Sequence, residues 1–385
     1  MSHARFAVAL IVTLLLGACS GARPRAGRAS KAFAGLALAL ALGACAKARA
    51  GLLPALALFV LVGACAPVIK PAGLPVTEAR MEATKLVMPD GAELPLRRWV
   101  PVEKPRAIVL ALHGFNDYSQ AFIEPGLDWE KQGIATFAYD QRGFGEAPDF
   151  GYWAGDDTLI ADLRTATTLI RAAYPGTPLY LLGESMGGAV VMAAAASPEP
   201  PKADGLILAA PAIWGRELQG PIPTSLLWFF AHTMPWLRLS GAELNIQPSN
   251  NIEMLRALGR DPLIIKETRV DAIYGLVGLM DRSLAAAPRI RAPALVLYGS
   301  REEVIPGKAA LAMLRRLPPP PERPRIALYP QGYHMLLRDL EAEVVRADIA
   351  AWIADPKAAL PSRADARAEA VLSDGAEDFS AAAAN

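Results

Sequence analysis

Leu179-Tyr180-Leu181-Leu182-Gly183-Glu184-Ser185-Met186-Gly187-Gly188-Ala189-Val190-Val191-Met192-Ala193-Ala194 sets the reading of the whole chain. A short apolar run precedes a serine flanked by glycines, and a run of small and apolar residues follows. This order predicts a strand, a sharp turn and a helix. Gly183 and Gly187 lie two residues either side of Ser185, where a Cβ would strike the neighbouring strand or helix. The turn lifts Ser185 clear of the sheet at a helix N-terminus, whose dipole favours negative charge. A serine so placed is a candidate nucleophile, in the pattern G-x-S-x-G. An ordinary loop serine is the alternative, and the surrounding chain decides between them.

Upstream, Pro89-Asp90-Gly91-Ala92 separates two apolar stretches and predicts a hairpin. Ala107–Leu112 reads as a buried strand running into His113-Gly114-Phe115-Asn116-Asp117-Tyr118. Gly114 lets that loop turn its backbone N–H groups outward. The N–H groups of Phe115 and Met186 are then the candidate oxyanion donors. His113 stands at the strand end, where it braces the loop. A helix near 119–132, a strand at Ile134–Tyr139, the turn Asp140–Gly145, a helix near 155–173 and a strand at Gly205–Ala210 continue the alternation. Such spacing implies a mostly parallel sheet flanked by helices, an α/β fold.

The alternation breaks from 212 to 283, where Leu226, Leu227, Trp228, Phe229, Phe230 and Trp236 make a concentrated apolar stretch. This reads as a helical cap over the site, with an apolar face suited to an acyl chain and to a membrane surface. The sheet resumes at Ala294–Tyr298, and Gly299-Ser300-Arg301-Glu302-Glu303 follows. A carboxylate just past that strand reaches the sheet edge where the serine lies. Adjacent side chains on extended backbone point apart, so one of Glu302 and Glu303 faces inward, and Glu302 is favoured. A helix near 307–316 and a strand at Arg325–Tyr329 lead to Gly332-Tyr333-His334, read as opening a last helix to about Ala354. Of the four histidines, His3 lies near the start, His113 in the loop and His232 in the insertion. His334 remains as the base, and the chain order is serine, acid, histidine.

The three cysteines, Cys19, Cys45 and Cys65, all precede the domain. Each ends a similar word: Leu16-Gly17-Ala18-Cys19, Leu42-Gly43-Ala44-Cys45 and Val62-Gly63-Ala64-Cys65. Each word follows an apolar run with basic residues upstream, and resembles the bacterial lipoprotein signal. That resemblance implies a diacylglycerol-modified cysteine, an extracytoplasmic position in the bacterial cell envelope and membrane attachment by the lipid. Cys65 is favoured as the modified residue, with Cys19 and Cys45 as alternatives, because a Pro-rich tether follows it. None of the three apolar runs reaches the roughly 20 residues of a confident membrane span. The domain reading is 1–65 tandem signal-like segments, 66–80 tether, 81–211 first core part, 212–283 cap, 284–356 second core part and 357–385 a disordered Ala-rich tail. A net charge of +1 over 385 residues shows no basic face for nucleic acid.

His113-Gly114-Phe115, Asp140-Gln141-Arg142-Gly143-Phe144-Gly145, Gly183-Glu184-Ser185-Met186-Gly187-Gly188 and Tyr333-His334 together resemble the α/β-hydrolase superfamily, over about residues 80–355. Within it the resemblance is to the monoglyceride lipase and lysophospholipase branch. That branch usually carries Asp in a D-x-V-x-P-like word, and Glu302 stands there ahead of Val304 and Pro306. The resemblance implies hydrolysis of small lipid esters, monoacylglycerols or lysophospholipids, through an acyl-serine, without metal or cofactor. One rival is an aminopeptidase or amidase of the same superfamily, but the acidic cap residues Glu217, Glu243, Glu253 and Asp261 are dispersed. Another is a non-catalytic lipoprotein that binds a lipid or partner, which the ordered serine, carboxylate and histidine disfavour. Nothing in the sequence sets an oligomeric state.

Overall fold

The computed structural model describes residues 66–241 and 244–373, so Cys19, Cys45 and Cys65 lie outside the described residues. The strands are β1 (Arg80–Met81), β2 (Lys85–Val87), β3 (Glu93–Trp99), β4 (Ala107–Leu112), β5 (Ile134–Tyr139), β6 (Leu179–Glu184), β7 (Gly205–Ala209), β8 (Arg238–Ser240), β9 (Glu267–Arg269), β10 (Ala294–Gly299) and β11 (Arg325–Tyr329). Nine of them form one sheet in the order β1-β2-β3-β5-β4-β6-β7-β10-β11. β1, β2 and β3 pair antiparallel at one edge, and from β5 to β11 every pairing is parallel.

β4, β5, β6 and β7 are buried along their whole length. They read as continuous apolar runs because helices cover both faces of a parallel sheet. Alternation along β4 serves two cores. Ile108, Leu110 and Leu112 join α2 (Asp156–Ala173) and α3 (Met186–Ala195) on one face. Ala107, Val109 and Ala111 join Trp129 of α1 (Ile123–Glu130) and Trp352 on the other. This is the α/β-hydrolase fold.

Between β7 and β10 lies the insertion: α4 (Arg216–Gln219), α5 (Pro221–Thr233), β8, α6 (Ile252–Arg260), β9 and α7 (Val270–Ala286). It is not wholly helical, since β8 and β9 form their own antiparallel pair. α7 packs on α3, the helix that begins at the serine. After β10 come α8 (Gly307–Arg316), β11, α9 (Ala342–Ala354) and α10 (Ala364–Ser373).

Three further expectations change. Residues 66–80 are a docked strap rather than a free tether. Ile69 pairs with Trp153 in a parallel bridge, Lys70 N donates to Trp153 O (2.8 Å) and Ala72 N to Thr158 Oγ1 (3.1 Å). Backbone groups do this work, so side-chain composition did not show it. The tail expected to be disordered from 357 is ordered through Ser373, where α10 packs on β11 with Leu360, Ala364 and Ala368 buried. Small alanine side chains let this helix sit close to the edge strand. The helix expected to open at His334 begins instead at Ala342. Asp339 holds the intervening turn by accepting from Tyr333 N at 2.7 Å, and Leu336 and Leu337 turn into the core.

Candidate active site

β6 ends at Glu184, and the chain reverses at Ser185 with φ 53° and ψ −115°, a left-handed backbone that a non-glycine residue rarely holds. Two hydrogen bonds impose it: Ser185 N donates to Ala209 O (2.9 Å), and Ser185 O accepts from Ala212 N (2.9 Å). A Cβ on Gly187 would stand 2.1 Å from Leu112 O of β4, and one on Gly183 would stand 2.3 Å from the carbonyl carbon of Gly187. The glycines therefore let strand and helix approach closely enough to hold the serine out.

β10 delivers Glu302 to the same end of the sheet. Its Oε1 accepts from Val304 N (2.7 Å) and Ile305 N (3.0 Å), which fixes the carboxylate. Its Oε2 accepts from His334 Nδ1 at 2.7 Å, so the proton sits on Nδ1 and Nε2 is left to act as a base. Glu303 points outward and accepts from Gln247 N of the insertion. The His334 loop is clamped to the acid loop through Arg301 N to Gly332 O (2.9 Å), and to the insertion through Met335 N to Pro248 O (3.0 Å). Burial works against a charged imidazole, but the charge and hydrogen bond of Glu302 outweigh it and raise the His334 pKa above 6.5.

His113 braces rather than reacts. It is fully buried, its Nε2 accepts from Gln141 N (3.0 Å), and its backbone O accepts from Gln141 Nε2 (2.9 Å). Burial lowers its pKa and keeps it neutral. The loop it holds brings Gly114 against Ser185, where a Cβ on Gly114 would lie 3.3 Å from Ser185 Cβ. Phe115 is next in that loop. Met186 N is the first N–H of α3, a donor with no partner inside the helix. His232 belongs to the insertion, stacked on Trp228 with ring centroids 4.5 Å apart.

One group escaped the sequence reading. Arg338, its side chain 9% exposed, donates from Nη2 to Asp117 Oδ2 (2.6 Å) and to Glu184 Oε2 (3.1 Å) of the residue before Ser185. Burial pushes the Glu184 carboxyl up, partly offset by Arg338. Burial would lower Arg338, yet the two carboxylates hold it above its ordinary value. The signal was a lone cation in the apolar run Met335-Leu336-Leu337-Arg338.

Two cavities meet at the loop of Phe115 and Asn116. The first, about 170 Å³, is lined by Ser185, His334, Asn116, Glu184 and Arg338. Asn116 Oδ1, Glu184 Oε1 and Arg338 Nε are buried and have no hydrogen-bond partner among the described residues. The second, about 270 Å³, is apolar, with Trp214, Leu227, Phe230, Leu276 and Met280 in its wall. A larger cavity of about 1030 Å³ between α8, the loop at Pro318–Pro320 and α10 touches none of these groups. Among the described residues no cluster of three or more His, Cys, Asp or Glu is placed to hold a metal ion.

A family profile described as Hydrolase_4: Serine aminopeptidase, S33 matches residues 103–341, which include the sheet from β4 onward, the insertion, Ser185, Glu302 and His334. Monoglyceride lipase of Rattus norvegicus is 28% identical over 263 residues, 66% of this chain and 84% of that protein. Monoacylglycerol lipase of Mycolicibacterium smegmatis is 24% identical over 257 residues, 66% of this chain and 90% of that protein. Among solved structures, monoacylglycerol lipase of Paleococcus ferrophilus matches with a TM-score of 0.58 at 22% identity, over 68% of this chain and 98% of its own. A soluble variant of monoglyceride lipase from Saccharomyces cerevisiae matches with a TM-score of 0.59 at 20% identity, over 76% of this chain and 98% of its own. At these identities the structural likeness bears on the fold alone.

Proposed function

The chain belongs to the Hydrolase_4 family (serine aminopeptidase, S33), and from that membership we propose that it is a serine hydrolase of small lipid esters, with monoacylglycerols or lysophospholipids as substrates. One observation carries the reaction: Ser185 lines the same cavity as His334, whose Nδ1 is held by Glu302. In this reading His334 Nε2 takes the Ser185 proton as Oγ attacks the ester carbonyl. The N–H groups of Phe115 and Met186 receive the developing oxyanion. Collapse expels the alcohol, which leaves with the proton from His334. Water activated by His334 then releases the acid and restores Ser185. Glu302 holds the tautomer and stabilises the imidazolium without itself becoming protonated.

The pair of cavities supports the substrate class. An acyl chain suits the apolar cavity under the insertion. A leaving alcohol that carries further hydroxyls or a polar head suits the other, where Asn116 Oδ1 and Glu184 Oε1 lack partners among the described residues. The relatives named monoglyceride or monoacylglycerol lipase point the same way. A peptide amine would need a carboxylate without a counter-charge, whereas Asp117 and Glu184 share Arg338. Our reading also places the protein in the bacterial envelope, attached through a lipidated Cys65.

A fluorophosphonate probe tests the reaction. Purified protein should label at Ser185, and Ser185→Ala should abolish labelling and ester turnover together. Retained esterase activity in Ser185→Ala would end the hydrolase reading. Mass analysis of the N-terminal peptide from membrane-extracted protein tests the anchor, with a diacylglyceryl mass expected on Cys65 and an unmodified N-terminal peptide counting against it.

A further inference from the structure

α5 has the sequence PIPTSLLWFFAHT, thirteen residues without Asp, Glu, Lys or Arg. Its inner side, Leu227 and Phe230, lines the apolar cavity. Its outer side leaves Ile222 64%, Trp228 53% and Phe229 44% exposed, and Trp236 just beyond is 58% exposed. A helix face turned outward without any charge is unusual in a water-facing element.

The strap joins this face. Val68 N donates to Asp271 Oδ2 (3.3 Å), and Asp271 N donates to Pro235 O (3.3 Å), the residue before Trp236. The chain therefore emerges from residues 1–65 beside the aromatic face, and Val68 and Ile69 are themselves exposed there. Exposed Lys70 and Arg238 follow Ile69 and Trp236 closely in the chain, a position for contact with lipid phosphates. Exposed tryptophans beside apolar side chains match the boundary between head groups and acyl chains.

We propose that the strap at Val68–Ile69 and the outer face of α5 with Trp236 form one docking surface for a lipid bilayer, which holds the acyl cavity against the membrane. The occupant is a bilayer because the surface is uncharged, aromatic, edged by cations and continuous with the point where the apolar N-terminal segments join. The inference deepens the lipid-ester reading and rests on it for purpose, but its first readout is position and not turnover.

Full-chain protein is mixed with phosphatidylcholine–phosphatidylglycerol vesicles brominated on the acyl chains, and tryptophan emission is measured. Of the seven tryptophans, Trp129, Trp153, Trp214 and Trp352 are buried and half-buried Trp99 lies on β3 with its ring against Gly126 of α1, so the quenching should come from Trp228 and Trp236. Wild type should be quenched, and most of that quenching should vanish in the double variant W228F/W236F. Ile222→Ser with Phe229→Ser should lower kcat/KM for a vesicle-borne ester about tenfold while a short soluble ester is cleaved as before. Protein that sediments with the vesicles without bromine quenching would overturn the proposal. So would a lipid-free dimer that I222S/F229S converts to monomer, since a second copy would then cover the face. If wild type cleaves neither ester, the hydrolase reading fails while the quenching still reports docking.

Discussion

At the scale of single residues, the charge on Glu302 determines how His334 behaves. Glu302→Gln preserves size but removes the charge that raises the His334 pKa, and because Val304 N and Ile305 N claim its one amide oxygen, its NH2 faces Nδ1 and favours the wrong tautomer. The base must be neutral to accept a proton, so activity falls as pH drops through the raised value. In Glu302→Gln that acid limb should move to lower pH, and kcat should fall by about 10² to 10⁴, read from pH–rate profiles on a soluble ester. Linkage gives a second sign. A raised histidine pKa contributes stability that is fully present below 6.5 and is lost as pH rises through the folded value. The imidazolium share of the stability gap between wild type and variant should therefore be largest in acid. Arg338 is the other residue whose loss has a defined cost. Arg338→Met leaves Asp117 and Glu184 facing one another in the interior, which should cost about 3–5 kcal/mol in denaturant unfolding. The deficit should shrink as pH falls, because protonation removes the repulsion.

At the scale of elements, the elbow depends on sterics that adjacent sequence already records. Gly187→Ala puts a methyl 2.1 Å from Leu112 O, and β4 is packed on both faces and has no room to yield. The variant should lose about 1–3 kcal/mol or more, and lose fluorophosphonate labelling as Ser185 shifts. This explains why strand, elbow and helix were legible: apolar runs and glycine spacing are local. Alternation along extended backbone showed that Glu302 and Glu303 point apart, but which of them faces His334 depends on a contact distant in the chain. Arg338 was not legible in its role. It looked like part of a helix, and its partner Asp117 lies far away in the chain. The strap was hidden because backbone groups hold it. α10 was hidden because alanines suggest disorder unless a flat strand such as β11 lies ready to receive them. Truncation after Asp355 removes Leu360 and α10, together with the hydrogen bond from Ser362 N to Asp348 (3.0 Å). It should cost on the order of 3 kcal/mol, a fall in Tm of roughly 6 °C or more in a thermal melt.

At the scale of the whole molecule, the fold brings one apolar and one polar cavity to a shared loop beside Ser185, and each should control a different half of the substrate. Each methylene that enters the apolar cavity contributes about 0.8 kcal/mol, so kcat/KM should climb about fourfold per carbon of the acyl chain. The climb should stop when the volume of about 270 Å³ is filled. Leu276→Trp occupies part of that space, so its plateau should arrive at shorter chains, while its preference between glycerol and methyl esters of one short acid stays as in wild type. Asn116→Ala should do the reverse. It removes Oδ1, which has no partner among the described residues, from the polar cavity, so it should weaken the preference for the glycerol ester and leave the chain-length plateau in place. Steady-state kinetics on both ester series separate the two effects. If Leu276→Trp altered the alcohol preference as strongly as the plateau, the two cavities would be serving one group, and the assignment of acyl chain and alcohol to separate walls would fall.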